Sequence, residues 1–111
     1  MENRRELLKG NTETILLSLL KDQPMYGYQI IKELERRSQG YFKFREGTLY
    51  PALHRLETSG LVIGRWERLP SGKERRYYHP TERGLEFLEA KIAEWLGFSS
   101  AVNLVMQPTA N

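Results

Sequence analysis

Apolar residues recur along this chain at two periods, and the switch between them divides it into elements. Leu8, Ile15, Leu16, Leu19 and Leu20 return at helical spacing and predict a first helix over Leu7 to Lys21, weakened early by Gly10 and Asn11 and ended by Asp22 and Pro24. A second helix is predicted from Tyr26 to Ser38. Gly27, Ile30, Ile31 and Leu34 form its inner stripe, Lys32, Glu33, Glu35, Arg36 and Arg37 its solvated side, and Gly40 its stop. Tyr41 to Arg45 reads as a short connector. In a third helix, Gly47 to Ser59, Leu49, Leu53 and Leu56 share one face with Ala52 beside them. Pro51 fits if Thr48 is the N-cap, because first-turn N–H groups lack helical partners. Gly60 then stands where a left-handed residue closes a helix, with Leu61 packing back.

The period then falls to two. Val62 to Arg68 and Glu74 to His79 flank Leu69-Pro70-Ser71-Gly72-Lys73, a turn in which proline presets φ and glycine tolerates positive φ. Val62, Gly64 and Trp66 alternate with Ile63, Arg65 and Glu67, which assigns Trp66 to the inner face of the hairpin. A last helix opens at Thr81, a good N-cap, with Glu82 in its first turn. Leu85, Leu88, Ile92, Trp95, Leu96, Val102 and Val105 keep the helical rhythm, and Gly97 leaves open whether the helix runs on or kinks or ends near Gly97 to Ser100. The order is helix, helix, helix, strand, strand, helix. This is an α+β chain, mostly α, in which a two-stranded hairpin must lean on the helices because it is barely stable alone. Three helices and a β-wing make a winged helix-turn-helix. The expected division is a winged helix over residues 1–80, a C-terminal helix over 81–106 and a loose tail over 107–111.

Composition narrows the function. The chain has 111 residues, 40% of them hydrophobic, which fits one domain. A chain this small buries only about 65% of its unfolded surface, so a second copy would add useful buried area. With no cysteine there is neither disulfide nor thiolate chemistry. The charged start at Met1 to Glu6 has no apolar run behind it, and nothing approaches the ~18 apolar residues of a membrane span. The expectation is a cytoplasmic protein with no membrane partner. Net charge is only +3, but five basic side chains (Arg65, Arg68, Lys73, Arg75, Arg76) face two acids within the hairpin, which suits phosphate contact. His54 and His79 have no further ligand at metal spacing, Ser71-Gly72-Lys73 lacks the upstream glycines of a phosphate loop, and no serine sits in a nucleophile elbow. No enzyme activity, metal or cofactor is expected.

The third helix is the candidate recognition helix. With its leucines inward, the opposite side presents Pro51, His54 and Thr58, flanked by Thr48, Tyr50 and Arg55. Thr48 and Tyr50 can donate to phosphate, and His54 and Arg55 can reach base edges. The same spacing also describes an amphipathic helix whose outer face meets only water. In the wing, Lys73, Arg75 and Arg76 suit phosphates or a minor groove, or serve to keep strand edges from aggregating. Tyr26 reads as packing, while Tyr28 suits either packing or the DNA backbone. Trp95 reads as core or subunit interface, or as a ring that stacks on a ligand.

Three motifs, in order, resemble the PadR family of bacterial transcriptional regulators. They are Tyr26-Gly27-Tyr28-Gln29-Ile30 in the second helix, the run from Gly47-Thr48-Leu49-Tyr50-Pro51 to Gly60-Leu61-Val62, and Arg75-Arg76-Tyr77-Tyr78-His79-Pro80-Thr81-Glu82-Arg83-Gly84. The resemblance covers about residues 7 to 97. It implies a homodimeric repressor whose third helix enters the major groove of a palindromic operator on double-stranded DNA while the wing touches the flanking backbone. Tyr28, Thr48, Tyr50, Pro51, His54, Arg55, Lys73 and Arg75 are the DNA-binding candidates. The resemblance further implies dimerisation through the helix from Thr81, and a small aromatic, apolar or cationic effector between subunits, with Trp95, Ile92 and Leu8 as candidate lining. Two rival readings are a winged helix that binds only protein and a dimer in which ligand sensing dominates.

Overall fold

The computed structural model describes residues 10–107. Leu8 therefore lies outside the described residues. Helix α1 spans Thr12–Asp22 and buries Leu16, Leu17, Leu19 and Leu20. It is the central helix and touches all three other helices and the sheet, which is why its apolar face is broad. Gly10 has φ +84°, a left-handed conformation, and α1 begins two residues later at Thr12; the expected start at Leu7 lies outside the described residues.

Met25–Tyr26 forms a two-residue strand, β1, that the hydrophobic pattern did not reveal. Helix α2 follows directly as Gly27–Arg37, with Ile30 and Leu34 buried. The backbone N–H of Tyr26 donates to Gln29 Oε1 at 3.2 Å, occupying a donor at the helix start. On the solvated side, Arg37 bonds both Glu33 and Asp22 at 2.7 Å, tying the end of α2 to the end of α1. Arg36 also bonds Glu33. These two guanidinium groups, Arg36 foremost, hold the Glu33 carboxyl down to about 2.

Helix α3 spans Glu46–Thr58 and buries Leu49, Ala52, Leu53 and Leu56. Its N-cap is Arg45 rather than Thr48, so Pro51 falls within the helix and not in its first turn. The Gly47 carbonyl loses the N–H of residue 51, but Gly47 and Pro51 both lie exposed, where water can replace the missing donor. The other end follows the sequence expectation. Gly60 has φ +76°, its N–H donates to Glu57, and the Leu61 N–H donates to Leu56 at 2.9 Å.

Strands β2 (Val62–Arg68) and β3 (Glu74–Pro80) pair antiparallel, with Gly64 opposite Tyr78 and Trp66 opposite Arg76. β1 adds to the other edge of β3, giving a three-stranded sheet of order β1-β3-β2 rather than a lone hairpin. Trp66 does share a face with buried Val62, but it is 63% exposed rather than packed inward. Past Gly64 the hairpin projects beyond the helices, so the alternation continues with no body left to cover it.

Helix α4 spans Glu82–Met106 without a break at Gly97. The Gly84 N–H donates to Thr81 Oγ1 at 2.9 Å, as expected of the N-cap. The 25-residue helix is ~37 Å long by helical rise. Only Gly84 and Leu88, near its start, are buried. Ile92 still packs against the core, and Trp95 and Phe98 stay beside the start of α1. The residues beyond them are mostly exposed, and the molecule extends to 54 Å.

Candidate nucleic-acid interface

The side of α3 away from its leucines is covered by no other element at Thr48, Pro51, His54 or Thr58, all exposed. Thr58 returns its hydroxyl proton to the His54 carbonyl at 2.9 Å. Tyr50 and Arg55 stand on opposite flanks of this face. Arg55 is ion-paired with Glu13 of α1 at 3.6 Å but remains 55% exposed. Tyr50 is folded onto the start of α2, its ring over Gly27. Tyr28, one residue on, is exposed, with the Lys32 ammonium 5.4 Å from its ring centre.

In the wing, Lys73 lies exposed at the tip. The turn beneath it is closed by Leu69 N–H to Lys73 at 2.7 Å and by Gly72 N–H to Leu69 at 2.8 Å, with φ +92° at Gly72. Arg75 is half-buried, its guanidinium 4.3 Å from the centre of the Tyr26 ring, which itself meets Tyr77 edge-on at 5.4 Å. Arg75 is therefore already anchored to β1, whereas Lys73 at the tip is more accessible. Between the wing, α3 and the start of α2 runs a cleft of about 300 Å³, lined by Tyr26, Tyr50, Trp66, Arg75, Arg76 and Tyr78 among others. The structure thus brings Tyr50 and Arg75 to one cleft. It leaves Arg55 on the α1 side and Tyr28 on the neighbouring face of α2.

Sequence reasoning missed three residues of this region. Gly27 and Gly64 leave no room for a side chain while Tyr50 and Arg76 keep these poses: a Cβ would stand 2.1 Å from the Tyr50 hydroxyl or 2.5 Å from the Arg76 guanidinium. Glu57 bonds Arg76 at 2.6 Å across a gap of 19 residues. A glycine inside a strand was the one available signal, since it often marks close approach of another group.

The second candidate region, on α4, is separate from the wing. Trp95 is about half exposed, with Phe98 6.2 Å away between ring centres. Both line a groove of about 300 Å³ with Gly10, Asn11, Thr14 and Lys91. Ile92 is partly buried and packs against the core instead. Among the described residues no cluster of histidine and acidic side chains is arranged to hold a metal, and no helix is long and apolar enough to cross a membrane.

Three helices, a small antiparallel sheet with a projecting wing, and an uncovered face on the third helix define a winged-helix DNA-binding fold. The PadR-like family model of transcriptional regulators matches residues 16–90, and the chain belongs to that family. Its members are regulators rather than enzymes. A transcriptional regulator of Mycobacterium tuberculosis is 34% identical over 80 residues, 72% of this chain and 71% of that protein. Among solved structures, a PadR-like transcriptional regulator from Bacillus cereus superposes with a TM-score of 0.82 at 32% identity, covering 94% of this chain and 99% of the other. A PadR family regulator from Eggerthella lenta gives 0.81 at 31% identity, covering 97% and 92%.

Proposed function

We propose that this transcriptional regulator is a homodimeric repressor that binds a palindromic operator through α3 and the wing and is released by a small aromatic or apolar effector. The observation that carries the reading is the uncovered face of α3. Thr48, Pro51 and His54 lie exposed there, and Tyr50 and Arg55 flank it. These side-chain types reach phosphates and base edges, and a helix of this size fits a major groove. Lys73 and Arg75 supply positive charge from the wing for the flanking backbone, and Tyr28 supplies a hydroxyl from α2.

Dimerisation is supported by the apolar residues that α4 leaves in water. Leu96, Phe98, Leu104, Val105 and Met106 are all 59% exposed or more. Apolar exposure of this kind along one helix marks an association surface. Two copies joined there would present two α3 helices, which matches a palindromic site. The groove beside Trp95 and Phe98 supports the effector. Its aromatic lining suits a flat ligand, apolar or cationic, because a ring face also attracts positive charge; Glu94 beside it is paired with Lys91 at 3.4 Å.

The test is fluorescence anisotropy of the gene's own upstream duplex against a scrambled one across a salt series. Tighter binding to the native duplex that weakens steeply with salt is expected. Alanine at Tyr50 and Arg55 together should then cost about 1–3 kcal/mol for each base edge no longer bonded. Equal, weak binding to both duplexes would remove the sequence-specific reading.

A further inference from the structure

The guanidinium of Arg76 is partly covered on the side of the wing that faces α3. Its Nη2 donates to Glu57 Oε2 at 2.6 Å, with both side chains about one-third exposed or less. Its central carbon lies 5.8 Å from the ring centres of both Trp66 and Tyr78. Gly64 lies directly against it, and a Cβ there would come within 2.5–2.6 Å of three guanidinium atoms. Gly64 and Trp66 belong to β2, Tyr78 to β3, and Glu57 to the last turn of α3. One cation therefore ties both strands of the wing to the end of the candidate recognition helix.

We propose that Arg76 is a positioning residue for DNA binding: through Glu57 it sets the wing relative to α3, and it does not itself grip a phosphate. The inference rests on the DNA-binding reading above. Its cation is already satisfied by a carboxylate, and its planar fork is seated against a glycine and two rings. That seat is specific to arginine, since a lysine ammonium has neither the fork nor the flat face. The wing reaches past the helices that support the rest of the sheet, so a bond from Arg76, two pairs below the Arg68–Glu74 tip, back to α3 bears directly on where Lys73 stands.

Replacing Glu57 with Gln separates the two roles by sign. If Arg76 gripped phosphate, the carboxylate would compete for it and repel DNA, and E57Q would bind more tightly. If Arg76 acts through Glu57, E57Q binds more weakly. The experiment uses the full chain, with folding checked by circular dichroism and a fluorescein-labelled duplex of the gene's own upstream DNA as probe. E57Q and R76Q are each expected to weaken binding roughly tenfold, about 1.4 kcal/mol, and the double variant no more than either alone. R76K should fail to restore binding. The slope of log affinity against log salt should be unchanged in R76Q, whereas removing a cation that grips phosphate lowers it by about 0.9. Tighter binding by E57Q, or a reduced slope in R76Q, overturns the proposal.

A second readout needs no DNA. Amide hydrogen exchange in the free protein should quicken along Val62–Arg68 and Glu74–Pro80 in both single variants, with α1 unchanged. Unaltered exchange in the wing overturns the proposal even if the wild-type chain fails to prefer the native duplex. That failure would instead count against the function proposed above.

Discussion

The hydroxyl of Tyr50 lies so close over the α-carbon of Gly27 that a methyl group there would stand 2.1 Å from its oxygen. The absence of a side chain at the first residue of α2 is what lets a tyrosine of α3 fold back onto it. Gly27→Ala should therefore push the Tyr50 ring outwards. The ring is 44% exposed and can turn into solvent, so stability in urea should change by no more than about 1 kcal/mol. Affinity for the native duplex should fall about tenfold, and the fall should vanish when Tyr50 is already alanine. Equal affinity of Gly27→Ala and wild type would mean that the Tyr50 pose is irrelevant to DNA.

Gly84 presents a harder obstacle. A Cβ there would meet the Leu61 carbonyl oxygen at 2.0 Å, and that oxygen also accepts the Thr81 N–H at 3.0 Å. Both the obstacle and its partner are backbone, so no rotamer change relieves the clash. Gly84→Ala is expected to lose about 3 kcal/mol in urea unfolding, at the upper end of ordinary overpacking. A loss under about 1 kcal/mol would show that α4 can slide away from Leu61 cheaply.

Acid should loosen the joint between α1 and α2. Glu33 is held down to about 2 from an ordinary 4.5 by hydrogen bonds from Arg36 and Arg37. A depressed carboxyl contributes stability that is complete above its unfolded value and fades as pH falls from about 4.5 towards 2. The site is solvent-screened, so the effect is small and salt-sensitive. Glu33→Gln should flatten this part of the curve of thermal midpoint against pH. An unchanged slope between those limits would assign acid sensitivity to other carboxylates.

The exposed end of α4 should decide the oligomeric state. Leu104 and Val105 are 76% and 84% exposed, so replacing both with Glu removes little from the fold of one chain. Sedimentation is expected to show a dimer for wild type and a monomer for the double variant, with unchanged helix content. A dimer that survives the substitution would place the association surface elsewhere.

Trp95 should report ligands. In a Trp66→Phe background it is the one remaining tryptophan. Titration with a planar aromatic cation such as proflavine is expected to quench its emission saturably. Phe98→Ala should weaken that response. Quenching that grows linearly without saturation would mean collision rather than binding in the groove.

Local pattern carried much of the fold because its signals are local. Leu49, Leu53 and Leu56 lie one helical repeat apart, so their shared face needs only backbone geometry. The Gly60 turn and the Thr81 cap likewise depend on residues a few positions away. Where the pattern misled, the reasons differ from element to element. β1 has only two residues and exists because β3 runs beside it. Thr48 looked like a cap because Pro51 invited one, yet α3 starts earlier and leaves the Gly47 carbonyl to water. Trp66 has the alternation of an inward residue, but the hairpin outruns the body that would cover it. Gly97 has room on all sides and does not stop a helix whose backbone bonds continue through it.

The same division runs through the candidate interface. The residue types on α3 and in the wing, and the three motifs that mark the family, are properties of the chain read in order. Tertiary structure decided which of those side chains are available. It set Arg75 against Tyr26, closed Arg76 onto Glu57, turned Tyr50 over Gly27 and left Lys73 at the tip. Periodicity reports which face of an element is apolar, because that depends on neighbours three or four positions away. It is silent on which charged group meets which across 19 residues, because that depends on how separate elements pack.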